Sequence, residues 1–107
     1  MSKLLPIKEP NEEKGASETV GYIFYCPGCD SHHDVYIRPH TNSVGASWSF
    51  TGSFDRPTFY PSINVKVEKT SGELILRCHF FVADGLIRYL DDCTHKLAGQ
   101  TVELPDI

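Results

Sequence analysis

The sequence predicts a mostly β fold: a small antiparallel sheet or sandwich of about six or seven short strands, with a zinc-ribbon-like cysteine knuckle and at most one short helix. Three observations predict it. β-Branched and aromatic residues fall in short runs with period-two alternation, the pattern of a pleated, half-buried surface. Gly, Pro, Asn and Asp punctuate those runs closely enough to mark hairpins. And "CPGC" at 26–29 sets two cysteines either side of a Pro-Gly turn.

The first eighteen residues, MSKLLPIKEPNEEKGASE, carry two prolines and seven charges without a sustained apolar period, so 1–18 reads as a flexible leader. Residues 19–107 then read as a single zinc-binding β domain. "TVGYIFYC" (19–26) and "HDVYIR" (33–38) form a hairpin with the cysteines at its tip. "PHTNSVGAS" (39–47) is a polar loop. "WSFTGSFDRPTFYPSINVKVE" (48–68) holds two strands, with Pro57 and Pro61 expected to confine the middle to an edge or a crossing loop. "KTSGE" (69–73) is a turn. "LILRCHFFVADGLIRYLDD" (74–92) is the strongest hairpin signal, with Asp84-Gly85 between two apolar runs. "CTHKLAG" (93–99) fits one helical turn ended by Gly99, and "QTVELPDI" closes as a strand.

The formal charge is −4 with the acidic residues dispersed, so no basic stripe exists to grip phosphates. A nucleic-acid partner is therefore not expected, and a single-strand binder using the aromatics is the least supported reading. No stretch approaches the roughly 20 apolar residues of a membrane span, and the start lacks the basic-then-apolar profile of a secretory signal. The expected location is the bacterial cytoplasm. Thiols stay reduced there, so four cysteines read as metal ligands or reactive groups rather than two disulfides.

Two thiols do not close a zinc site, which takes four ligands in a tetrahedron. A two-residue turn at Asp84-Gly85 would pair Ala83 with Leu86, Arg77 with Asp92 and Leu76 with Cys93, putting Cys78, Phe80 and Val82 on one face with Ile87, Tyr89 and Cys93. Cys78 and Cys93 are then diagonal neighbours, too far apart for a relaxed disulfide but within reach of one metal. The expected ligands are Cys26, Cys29, Cys78 and Cys93, with His79 or His95 as substitutes. A three-residue turn would place His79 rather than Cys78 beside Cys93. His32, His33 and His40 read as solvated loop residues. The opposite face of the hairpin collects Arg77, His79, Phe81, Arg88 and Asp92, with His95 just beyond, so His79, Asp92 and His95 are the candidate catalytic groups.

CPGC, WSFTGSFDRPTFYPSI, CHFFVADGLIRYLDDCTH and LAGQTVELP together resemble a small phage and prophage family of unknown function, over roughly residues 21–107. Its members often carry the label "ammonia monooxygenase", which fits a membrane-embedded copper enzyme and not this chain. A more distant bacterial metal-binding group shares a W-x-F-x-G segment, a Pro-Ser-Ile and a Cys/His-aromatic pattern. That resemblance implies His79 as a retained ligand. The expectation is a phage-type accessory protein in which zinc is structural and which acts by binding a host or phage protein. The alternative is a metal-dependent hydrolase or deaminase acting on a nucleotide-like small molecule, motivated by six candidate ligands where four suffice.

Overall fold

Eight strands make two antiparallel sheets in the computed structural model, which describes residues 2–13 and 15–107. Met1 and Lys14, both inside the expected leader, lie outside the described residues. The first sheet runs β1 (Leu5–Asn11), β2 (Ala16–Cys26), β3 (Ser31–Tyr36). The second runs β4 (Ser49–Gly52), β5 (Pro57–Glu68), β6 (Leu74–Ala83), β7 (Leu86–Tyr89), β8 (Thr101–Glu103). Within each sheet every strand pairs with its sequence neighbours, so each sheet is a meander.

The leader expectation is corrected. β1 pairs with β2, β2 begins at Ala16, and Leu4 is buried in the core. Pro6 and Pro10 are tolerated because β1 is an edge strand, where an absent N–H breaks no ladder. The end of the chain holds this segment in place. The Lys3 ammonium donates to the Leu104 carbonyl at 2.6 Å and to Glu103 at 3.1 Å, and the Ile107 N–H donates to the Ser2 carbonyl. Charge-rich composition predicts disorder only where nothing else supplies partners.

β5 also departs from expectation, since it lies inside its sheet between β4 and β6. Its prolines occupy the two interior places a strand permits: Pro57 is the first residue, and Pro61 falls where the register slips. The β6–β7 hairpin adopts the two-residue turn, pairing Ala83 with Leu86, Val82 with Ile87 and Phe80 with Tyr89. Asp84 and Gly85 have φ of 52° and 79°, the positive pair that a turn matching strand twist requires. Residues 90–100 form successive turns through Cys93 N–H to Leu90 O, Ala98 N–H to His95 O and Gln100 N–H to Leu97 O, and no helix forms among the described residues.

The sheets pack face to face. Phe24 of β2 lies 6.0 Å from the ring of Phe59 and 5.9 Å from that of Phe80, and Val35, Ile63, Val82, Ile87 and Leu104 fill the space around them. Each such side chain contributes about 1.5–3 kcal/mol on burial. No helix is long and apolar enough to cross a membrane among the described residues.

Candidate functional site

The β2–β3 hairpin sets Phe24 opposite His33 and Cys26 opposite Ser31, so His33 shares the inward face with Cys26. β6 brings Cys78 to the same place from the other sheet. Ligand atoms of Cys26, Cys29, His33 and Cys78 lie within 4.8 Å of one another, and this cluster could hold a metal ion. The sulfurs of Cys26 and Cys78 are 3.7 Å apart. A tetrahedron of ~2.3 Å zinc–sulfur bonds has edges of about 3.8 Å. A second observation agrees: Nε2 of His33 is buried without a hydrogen-bond partner, a costly orphan that a cation would satisfy. Stacking on Phe80, at 5.8 Å and 21°, fixes the orientation of that ring.

Without an ion the thiols share protons unevenly. A hydrogen bond from Cys78 outweighs burial and holds the Cys26 thiol down to about 3, while the same bond and then burial push Cys78 strongly upward. Burial, and next the charge on Cys26, raise Cys29 to about 11. Tyr89 accepts the Gly28 N–H at 3.0 Å and stands 3.2 Å from the Cys26 sulfur; burial first, then this bond, raise its hydroxyl. The clustered sulfurs thus favour a single thiolate, at Cys26.

The other expected ligands sit differently. Cys93 is outside the group of four: its sulfur accepts the His79 N–H at 3.2 Å and its S–H donates to the His79 carbonyl at 3.1 Å. With Cys78 and His95 it forms a second group of three potential ligands. Nδ1 of His95 accepts the Leu97 N–H at 3.2 Å, so in the neutral ring Nε2 carries the proton and donates to the Cys78 sulfur at 3.3 Å. His95 packs edge-on to Tyr89 and over Gly28, where a Cβ would come within 2.4 Å of the ring. His33, expected to be a solvated loop residue, takes the fourth place. The spacing Cys-x2-Cys-x3-His was a readable signal, since a four-residue loop at 27–30 returns His33 to the face of Cys26.

His79 follows Cys78 on β6 and therefore points to the opposite face. Its Nδ1 is 3.1 Å from Oδ2 of Asp92, and its Nε2 is 3.3 Å from Oγ of Ser62. A carboxylate only accepts, so Nδ1–H donates to Asp92, which leaves Nε2 to accept the Ser62 hydroxyl proton. The order is serine, imidazole, carboxylate: a nucleophile, a base and the group that orients the base. The 3.3 Å separation lies in the looser range of substrate-free sites. His79 and Arg77 face Asp92, with the Arg77 guanidinium at 3.8 Å, and the bond from His79 foremost holds its carboxyl below the ordinary 3.8. The His79 and Asp92 side chains are 24 % and 44 % exposed, within reach of a large substrate.

Ser62 is the residue that the sequence reading missed. In the β5–β6 ladder Phe59 pairs with Val82 and Ile63 with Phe80, so Tyr60, Pro61 and Ser62 together face Phe81. A bulge of this kind re-aims a side chain. The Trp48 indole N–H anchors it by donating to the Ser62 carbonyl at 3.2 Å. W-x-F-x-G and Pro-Ser-Ile were the visible traces of this anchor, but only the pairing of β5 with β6 shows what they position. The sheet separates the inward cluster from Asp92, which lies with His79 on the outward face.

No curated protein and no solved structure matches the chain. A family model does, and the family it describes is bacterial, with nothing in the description that speaks of phage origin. That model, BubE, bacterial ubiquitination-like system serine protease, matches residues 6–90, a span that includes Ser62, His79 and the four clustered metal-binding candidates and stops just short of Asp92, and the chain belongs to this family.

Proposed function

We propose that this protein is a serine hydrolase of peptide or isopeptide bonds, acting on a ubiquitin-like protein or its conjugates in the bacterial cytoplasm. The observation that carries the reading is the hydrogen-bonded series Ser62, His79, Asp92 on one exposed sheet face, in a chain whose family description names a serine protease. Ser62 Oγ attacks the scissile carbonyl while His79 Nε2 takes its proton. The same proton passes to the departing amine as the C–N bond breaks, leaving an ester on Ser62. Water, deprotonated by His79, then hydrolyses that ester and restores the serine. Asp92 holds the ring in the productive tautomer and stabilises the imidazolium.

The metal in this reading is zinc, and it is structural. Three thiols and an imidazole are a donor set that zinc accepts as a closed tetrahedron, with no position left for water. What the ion supplies is a covalent tie between the two sheets. Zinc analysis of unstripped protein should give close to one equivalent per chain; below about half an equivalent, the structural-zinc part of the reading fails.

The catalytic part has its own test. A fluorophosphonate probe should label the native protein on Ser62, located by peptide mass spectrometry, and a ubiquitin-like protein carrying a C-terminal extension should be trimmed. Ser62→Ala should abolish both while keeping the melt and zinc content. Labelling elsewhere, or cleavage that survives Ser62→Ala, would show that another group does the chemistry.

A further inference from the structure

We infer that the outer face of β6–β8 beside His79 is a substrate subsite, one that receives an apolar side chain flanked by an acidic residue. This rests on the proposed serine chemistry and adds a specificity to it. Phe81 lies two residues beyond His79 on the same face, about 7 Å along the strand. That distance matches the step between alternate side chains of an extended peptide. The shallow hollow that begins there has a volume of about 300 Å³ and is lined by Phe81, Ala83, Leu86, Arg88 and Thr101. Cross-strand pairing puts Phe81 beside Arg88, Ala83 beside Leu86 and Arg88 beside Thr101, so a single face supplies all five.

Leu86 in the hollow is 43 % exposed; outside the hollow, in the bulge that carries Ser62, Tyr60 is 66 % exposed. Continuity with the nucleophile distinguishes this patch from scattered surface apolar residues, since the bulge and the hollow share Phe81. The charge identifies the neighbouring residue. Arg88 makes no ion pair with any described residue, whereas the other arginines of this region are engaged, Arg77 with Asp92 and Arg56 with Asp84. Glu103, opposite Leu86, is held by Lys3 at 3.1 Å. An exposed guanidinium that has no ion pair among the described residues, set at the rim of an apolar hollow, favours a carboxylate next to an apolar side chain.

The experiment uses the full chain and internally quenched peptides in which a leucine beside the cleaved bond is flanked by Asp, Ser or Lys. The Asp peptide should show a kcat/KM on the order of tenfold above the Lys peptide. Arg88→Glu should reverse that order, and Arg88→Ala should level it, with the rate of fluorophosphonate labelling at Ser62 unchanged in both. A reversal is a gain that misfolding does not produce. If Ser62 is labelled but the peptides show no preference between acid and base, or the preference ignores Arg88→Glu, the subsite is wrong and the serine chemistry stands. If the native protein is not labelled at Ser62, the subsite and the proposed function fall together.

Discussion

The two faces of β6 were built by different physics. Inward, Cys78 meets Cys26, Cys29 and His33 beside Phe24, Phe80 and Tyr89; Cys26 and Cys78 are buried, Cys29 and His33 half-buried. Outward, His79 meets Ser62 and Asp92 on a surface open to solvent. One residue step separates the two. The inner cluster is held by burial of apolar surface and, with an ion, by coordination; the outer group is held by register, a bulge and two hydrogen bonds to the His79 ring. Disturbing the inner face should therefore cost stability first, and disturbing the outer face should cost activity at nearly constant stability.

The sharpest way to break this contrast is Cys26→Ser or Cys29→Ser. Either should release the ion and remove the cooperative thermal transition, because in small metal domains binding energy is folding energy, on the order of 10 kcal/mol. Circular dichroism melts with parallel metal analysis check it; a parent-like melt with no bound metal would refute the staple. Second in size is Ser62→Ala, expected to lower peptide or isopeptide turnover by roughly 10⁴-fold with melting and metal content near those of the parent. Asp92→Asn should cost roughly 10²- to 10⁴-fold in kcat through loss of the ring's orientation.

Cys93 sharpens the comparison further, because its sulfur bonds the His79 backbone on both sides rather than completing the group of four. Cys93→Ala should lower kcat by about tenfold with the metal stoichiometry unchanged, and Cys93→Ser should recover part of the loss. A fall in bound metal would instead make Cys93 a ligand. The smallest effect concerns acid. Asp92 has a carboxyl depressed below 3.8, so the stabilisation from its ion pair is present above that value and is lost only as pH falls through the lower folded one. The His79–Asp92 contact, followed by the NMR shifts of the His79 ring, should thus persist at pH 5; its loss there would contradict the depressed carboxyl.

Much of the β6–β7 region was legible in advance. Asp84-Gly85 between apolar runs specified the turn, the turn specified the register, and the register sorted Cys78, Phe80 and Val82 from Arg77, His79 and Phe81. It placed His79 and Asp92 together on the polar face, though it paired Asp92 with Arg77, and the His79–Asp92 bond emerged only in the structure. Where reading failed, long-range partners were responsible. β1 owes its order to β2 and to contacts of Lys3 and Ser2 with the far end of the chain. Pro57 and Pro61 misled because a central strand tolerates them only at its start and in a bulge, and the bulge exists through its mismatch with β6.

By itself the sequence determined the strands that follow β1, the Asp-Gly hairpin, the alternation that gives Cys78 and His79 opposite faces, and the knuckle at Cys26 and Cys29. These depend on local periodicity and turn chemistry, which a few adjacent residues carry. The tertiary structure decided that His33 rather than Cys93 completes the inner four, and that Ser62 reaches His79. Both depend on how strands distant in the chain are juxtaposed: the first on the packing of two sheets, the second on a slip of β5 against β6. Local patterns leave a trace of each, the Cys-x2-Cys-x3-His spacing and the Pro-Ser-Ile segment, but neither trace specifies the distant partner.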